Sequence, residues 1–360
     1  MGSVIHAWRT TVRAFGFSLR PLPRLAMFQA RRIFNLAGAG VDHLLYPGLR
    51  SARLDRPVFV LGNARSGTTL MHRLLAGSEE LTAFELWEML FPSITGWRLL
   101  RPLAERLAAR VKLPHDPRIH ETGLLHAETD DLLLFANHLE GPLYQASLAA
   151  WDPDFQRDVL DDDAALAGAV GRGLDALDAA WRRKVVLNGR RVLAKSSGLT
   201  GAGPDVLARY PDARLLYMVR SPLEVIPSGL SLLDDVYVRE VQRRQSPPPE
   251  QLARYYEHMY QGSVLLYRRF HEQVTSGRIP AANLKIVAYP RLMADFAAQM
   301  AEVFDFVEID PAPLASRVAA LAPGQRRHSS GHRYSLERYG LSEARVRRDL
   351  SFIFDHYDVG

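Results

Sequence analysis

The sequence predicts an α/β fold in which a central parallel sheet is covered on both faces and accompanied by additional long helices. Three observations predict it. Short apolar runs at residues 57–61, 191–195, 214–219 and 284–289 have the length and near-continuous hydrophobicity of strands buried on both faces. Stretches with helical character, such as 163–181 and 223–233, separate these runs. A loop containing two glycines, Gly62-Asn63-Ala64-Arg65-Ser66-Gly67, joins the first run directly to a helix starting Thr68-Thr69-Leu70-Met71.

Two regions follow from charge and pattern. Residues 1–56 hold nine Arg against two Asp, a charge of +7, so the remainder carries 36 basic and 38 acidic residues. These arginines alternate with Trp8, Phe15, Phe17, Leu19, Leu22, Leu25, Phe28 and Phe34. A basic, greasy segment reads as an extension that touches an anionic membrane surface or packs on the body of the protein, rather than as a nucleic-acid arm. Residues 57–360 read as one catalytic domain. Within it, a long helix over 250–273 follows Pro247-Pro248-Pro249 and places Leu252, Tyr256, Met259, Ser263, Leu266 and Phe270 at helical spacing, a stripe expected in the core. Asp161-Asp162-Asp163 reads as a helix start. Ser342 is expected to cap a helix with Val346, Leu350, Ile353 and Tyr357 on one face.

Composition narrows the chemistry. The 360 residues are 47% hydrophobic and 24% charged, as expected for a globular protein with a sizeable core. No apolar run approaches the roughly 18 residues of a membrane span, and Arg9, Arg13 and Arg20 interrupt any leader-like stretch, so the expected location is cytoplasmic with possible membrane association. The chain has no cysteine, which excludes disulfides, thiolate metal sites and cysteine nucleophiles. His115, His120 and His126 lack metal-ligand spacing, and no metal is expected.

The loop at 62–67 carries the strongest signal. A glycine-bearing turn after a buried strand aims backbone N–H groups and a helix N-terminus at one point, which makes an anion site. The Gly62-x-x-x-x-Gly67 spacing matches the start of a phosphate loop, yet Thr68 and Thr69 stand where a nucleoside triphosphatase needs Lys and Ser/Thr, and the cation is Arg65 inside the loop. After 214–219, where such an enzyme often has a metal-holding acid, this chain has Arg220, with Ser228 eight residues on. Two phosphate sites without that acid point to a ligand phosphorylated at separate positions.

Residues 59–70 resemble the 5′-phosphosulfate loop of sulfotransferases that use 3′-phosphoadenosine 5′-phosphosulfate (PAPS). Arg220 and Ser228 resemble that family's 3′-phosphate pair, Tyr289-Pro290-Arg291-Leu292 its Tyr-Glu-Asp-Leu segment, and His332-Arg333-Tyr334-Ser335-Leu336 the C-terminal segment of its bacterial branch. The resemblance implies a P-loop-type three-layer fold and transfer of the sulfuryl group of PAPS to a hydroxyl or amine of a small-molecule acceptor, without metal; the greasy segment 82–150 and the basic amphipathic front point to a lipid-like one. It implies that Arg65, Ser66, Gly67, Thr68 and Thr69 hold the 5′-phosphate, that Arg220, Ser228, Tyr289, Arg327 and Arg333 complete the donor site, and that Lys195 neutralises sulfuryl or bridging oxygens. The histidine that many relatives carry four residues after this lysine is Leu199 here. Glu85, between Phe84 and Trp87, is the expected base; Glu88, His126 and Glu128 are the alternatives. A nucleotide kinase or NTPase, or a non-catalytic nucleotide-binding protein, is the competing reading. The oligomeric state is left open.

Overall fold

Five parallel strands are hydrogen-bonded in the order β2-β3-β1-β4-β5: β1 Val58–Leu61, β2 Leu81–Thr82, β3 Arg191–Lys195, β4 Arg214–Val219 and β5 Leu284–Ala288. The structure is a computed structural model that describes residues 2–18, 22–108, 110, 123–127, 131–134, 141–155, 163–243, 246–325 and 335–359. The register sets Val58 of β1 beside Leu193 of β3 and Arg214 of β4.

The pleat explains why these strands are apolar throughout. Val58, Val60, Leu216 and Met218 point to one face, where Met71, Leu74 and Leu75 of α3 (Thr68–Leu75) and Met300, Val303 and Phe304 of the helix Phe296–Val307 cover them. On the other face the Phe59 ring stacks on Tyr210, and Tyr217 stacks on Phe270 with centroids 3.5 Å apart. Both faces are covered, giving the predicted three layers.

The chain divides into two compact units. One comprises residues 54–83, 190–232 and 260–360 and holds the whole sheet. At its C-terminal end Ser342 caps Glu343–Asp349 by accepting from the Arg345 amide, as predicted, and Val346, Leu350, Ile353 and Tyr357 are buried.

The other comprises residues 1–53, 84–189 and 233–259. Its main helices are α1 (Gly2–Phe15), α2 (Leu22–Leu45), α4 (Leu86–Leu90), α5 (Ile94–Ala108) and α6 (Asp163–Asn188). Of the acidic triplet, Asp163 starts α6, while Asp161 and Asp162 lie outside the described residues. A fully buried carboxylate, Asp42, ties three of these helices together. It accepts from the Ile94 and Thr95 amides and the Thr95 hydroxyl, each at 2.8 Å, so α2 caps the start of α5. It also accepts from Arg183 Nε of α6 at 2.8 Å. Truncating Asp42 would strand the buried Arg183 charge, a change worth about 3–5 kcal/mol. The Phe15 ring packs on Trp151, which stacks on Tyr255 at 4.3 Å, so α1 is packed within this unit as well. The long helix runs over Pro249–Thr275; of the stripe expected in the core, Tyr256 and Phe270 are buried while Leu252, Met259, Ser263 and Leu266 are half-buried, and the buried face is completed by Tyr255, Tyr260 and Tyr267 instead.

Candidate active site

The loop between β1 and α3 is shaped by its glycines. Gly62 has φ +132°, and a Cβ there would lie 2.4 Å from the Met218 carbonyl oxygen. Gly67 has φ +101°, and its Cβ would meet the Tyr289 ring at 2.8 Å. Between them Arg65 adopts φ +77°, a conformation that costs a non-glycine residue free energy and marks a constrained loop. Hydrogen bonds hold it in place: Gly62 N donates to Thr200 Oγ1 at 2.9 Å, and Asn63 Nδ2 donates to Ser263 Oγ at 2.7 Å.

Ser66 spends both of its donors inside the loop. Its amide and its hydroxyl donate to the Asn63 carbonyl at 3.1 and 2.7 Å. The first amides of α3 have no intrahelical acceptor, and the N-cap, Gly67, has no side chain to satisfy them. Buried Lys195, the last residue of β3, donates from Nζ to Thr69 Oγ1 at 2.9 Å. A glycine cradle, the uncapped amides of a helix start and an ammonium against the first helical turn fit a phosphate-type anion.

A second cationic group borders the first. Arg220 follows β4, and its guanidinium lies 4.4 Å from the centre of the Tyr289 ring, the ring that also backs Gly67. Its Nε donates to Glu224 Oε2 at 2.5 Å. Ser228, on α7 (Pro222–Leu233), accepts from Arg65 Nε at 3.0 Å. Thus Arg65, Gly67, Thr69, Lys195, Arg220, Ser228 and Tyr289 all lie in the sheet-bearing unit, with Lys195 against Thr69, Arg65 against Ser228, and Tyr289 against Gly67 and Arg220. Arg327 and Arg333 lie outside the described residues, as does Glu128.

The candidate bases described belong to the other unit. Glu85 is the N-cap of α4; its amide donates to Glu88 Oε2 at 2.8 Å, and its own Oε2 accepts from the Trp87 indole at 2.6 Å. Glu88 is buried and paired with Lys184, whose Nζ lies 2.6 Å from Oε2 and 2.8 Å from Oε1. Burial pushes the Glu88 carboxyl above its ordinary pKa, and Lys184 draws it back down. His126 is exposed, but its carbonyl accepts from the Leu86 amide at 3.2 Å, so it sits at the start of the same helix as Glu85. The position of the missing histidine, Leu199, is a core residue in the turn after β3.

Three residues of the site escape a reading by motif. Glu224 pairs with Arg220 at i,i+4 spacing, which a helix prediction over 223–233 reveals once the arginine is considered part of its face. Lys184 is remote from Glu88 in sequence and has no such signal. His72 is wholly buried one turn beyond Thr69; burial and the neighbouring Lys195 ammonium lower its pKa to about 3, so it is neutral.

A model of the sulfotransferase family matches residues 57–313, which contain both the loop and the Arg220–Ser228 pair. The chain belongs to the sulfotransferase family. Among curated members it is similar to the omega-hydroxy-beta-dihydromenaquinone-9 sulfotransferases Stf3 of Mycobacterium bovis and Mycobacterium tuberculosis, with 25% identity over 194 residues. The match takes in 51% of this chain and 46% of each relative, so the chain spans about half the length of the curated sulfotransferases it matches. Two solved sulfotransferases share its fold. STF1 from Mycobacterium tuberculosis superimposes with a TM-score of 0.72 at 17% identity, covering 98% of this chain and 90% of that one. STF9 from Mycobacterium avium gives 0.70 at 17% identity, covering 93% and 86%.

Proposed function

We propose that this chain is a PAPS-dependent sulfotransferase that moves a sulfuryl group to a hydroxyl, or an amine, of a small lipid-like acceptor. The observation that carries the reading is the Lys195–Thr69 contact at the mouth of a glycine cradle, with Arg220 rather than an acid at the end of the neighbouring strand. Family membership supports the same reaction.

PAPS, when bound, supplies an activated sulfuryl group. The α3 amides and Arg65 hold its 5′-phosphate, and Arg220 with Ser228 holds the 3′-phosphate. Lys195 is placed on the first turn of α3 to neutralise negative charge developing on sulfuryl or bridging oxygens, the type of stabilisation that dominates group transfer of this kind. Glu85 is assigned as the base that accepts the acceptor's proton. Its carboxylate is oriented by the Trp87 indole, whereas Glu88 is committed to Lys184.

The lipid-like acceptor is inferred from the curated relatives, whose name specifies an omega-hydroxy dihydromenaquinone, and from the apolar residues 82–150. A kinase reading is disfavoured because Thr68 and Thr69 replace the lysine and hydroxyl pair that a triphosphate and its metal require. Incubation with 35S-labelled PAPS and a cell lipid extract tests the proposal. Label moving to an organic-soluble product without added divalent metal is expected; absence of any labelled product, together with Mg²⁺-dependent ATP turnover, overturns it.

A further inference from the structure

The helix that starts at the candidate base cannot set its own direction. α4 spans five residues, Leu86–Leu90, well short of the roughly 12–15 at which an isolated helix is even marginal. Its start is therefore fixed by what caps it. Glu85 and Glu88 form a capping box, in which Glu88 Oε2 accepts from the Glu85 amide at 2.8 Å. The Glu85 carboxylate in turn accepts from the Trp87 indole at 2.6 Å.

Behind this box stands one cation from a distant helix. Lys184 of α6 lies 96 residues further along the chain than Glu88, and its Nζ is 2.6 Å from Glu88 Oε2 and 2.8 Å from Oε1. Oε2 thus serves the ammonium and the Glu85 amide together. The ammonium also sits 5.5 Å from the centre of the Phe84 ring and 5.4 Å from that of Trp97. Phe84 directly precedes Glu85, and the Trp97 indole donates to the Glu88 carbonyl at 3.0 Å. Lys184 therefore holds residues on both sides of Glu85. All of these residues belong to the helical unit.

Stability alone does not account for such a pair. The Lys184 and Glu88 side chains are only 12% and 10% exposed, and a pair this buried loses in desolvation much of what it gains by attraction. Apolar residues of similar volume often serve a fold equally well. What the pair adds is geometry. A general base works only within hydrogen-bond reach of the proton it takes, and a misplacement of about 1 Å can cost on the order of 10² in rate.

We propose that Lys184 is a positioning residue for the transfer reaction: by holding Glu88 and Phe84 it fixes the backbone at Glu85, and so the direction of the Glu85 carboxylate. The proposal rests on Glu85 being the base. Its test compares the full chain with E85Q, K184M, E85Q/K184M and E88L/K184M, the last of which removes both charges so that no buried carboxylate is stranded. Thermal melting checks each fold. One readout is the rate of 35S transfer from PAPS to the organic-soluble fraction of a cell lipid extract, beside calorimetry with 3′,5′-bisphosphoadenosine. The other, independent of turnover, is the Trp87 indole proton in 15N-labelled protein, assigned by its loss in W87F and moved downfield by its short hydrogen bond to Glu85.

Transfer at least about tenfold slower in K184M and E88L/K184M is expected, with unchanged nucleotide affinity and an upfield move of the indole proton. Adding K184M to E85Q should cost nothing further, because a residue that acts through Glu85 then has nothing left to position. A parent-like rate or an unmoved indole proton in folded E88L/K184M overturns the proposal. A loss in the E85Q background equal to that in the parent overturns it in favour of a general structural role, as does unfolding of both Lys184 variants. Parent-like turnover in E85Q overturns the base assignment and the proposal with it, a failure that this single variant identifies.

Discussion

Arg65 Nε donates a hydrogen bond to Ser228 Oγ across 3.0 Å, joining two residues expected to serve different phosphates of one ligand. The loop arginine is therefore steadied by the helix that follows β4, and the two subsites are mechanically linked. Ser228→Ala should weaken 3′,5′-bisphosphoadenosine by about tenfold, as for loss of one hydrogen bond to a charged group. Because Ser228 also positions Arg65, 5′-AMP should weaken too, by a smaller factor. Calorimetry with both nucleotides separates the cases: unchanged 5′-AMP affinity would show that the Arg65 contact contributes nothing to the 5′-phosphate subsite.

Lys195→Met retains the aliphatic stem that crosses the buried end of β3 and removes the charge beside Thr69. The turnover number should fall by at least about 10², the scale for removing one preorganised group that stabilises developing charge. Bisphosphoadenosine, which lacks the sulfuryl group, should bind with only modestly altered affinity. An equal loss in turnover and in nucleotide affinity would make Lys195 a ground-state phosphate ligand instead.

Glu85 and Glu88 should respond differently to the same conservative change. Glu85→Gln should lower kcat by about 10²–10⁴ with little effect on nucleotide binding, as expected for loss of a general base. Glu88→Gln leaves the Lys184 ammonium unpaired against the Phe84 and Trp97 rings and should cost up to about 3–5 kcal/mol of stability. Steady-state kinetics beside urea denaturation of both variants checks the pair. A Glu85→Gln enzyme with near-normal turnover would move the assignment to His126 and Glu128.

His72 gives the fold a defined acid sensitivity. Its pKa in the fold is about 3, below the 6.5 of the ordinary imidazole, so the unfolded chain binds more protons between those values. The stability from keeping it neutral is complete above about pH 6.5 and is lost as pH falls, at up to about 1.4 kcal/mol per pH unit. His72→Gln, which does not titrate, should reduce the slope of melting temperature against pH between about 4 and 6.5. Parallel curves for the two proteins would show that His72 is not the source.

The four long strands, the loop and the helix at 249–275 are legible in the sequence because each is a local pattern of apolar residues and glycines. The edge strand Leu81–Thr82 is not: two residues carry no periodicity, and pairing with Arg191 and Val192 of β3 creates the strand. The convergence of Tyr289 on Gly67 and Arg220 is expected only through the family resemblance and not from any local pattern, since it depends on three strand ends meeting through sheet order. Pairings such as Lys184 with Glu88 arise from helix packing and have no counterpart in spacing. The charge of Arg220 is readable, but its capture by Glu224 depends on which rotamer the helix face allows.

The discontinuous make-up of the helical unit has a consequence for biosynthesis. Arg24 of α2 pairs with Glu240, 216 residues later, and Gln251 donates to the Ala14 carbonyl, 237 residues earlier. At about 5–20 residues per second, roughly 11–47 s pass between the emergence of these helices from the ribosome and that of their partners. During that interval α1 and α2 present their apolar sides without the segments that will cover them. The nascent chain thus carries uncovered apolar surface during synthesis, and its yield in a cell should depend on translation speed more than its final stability would imply.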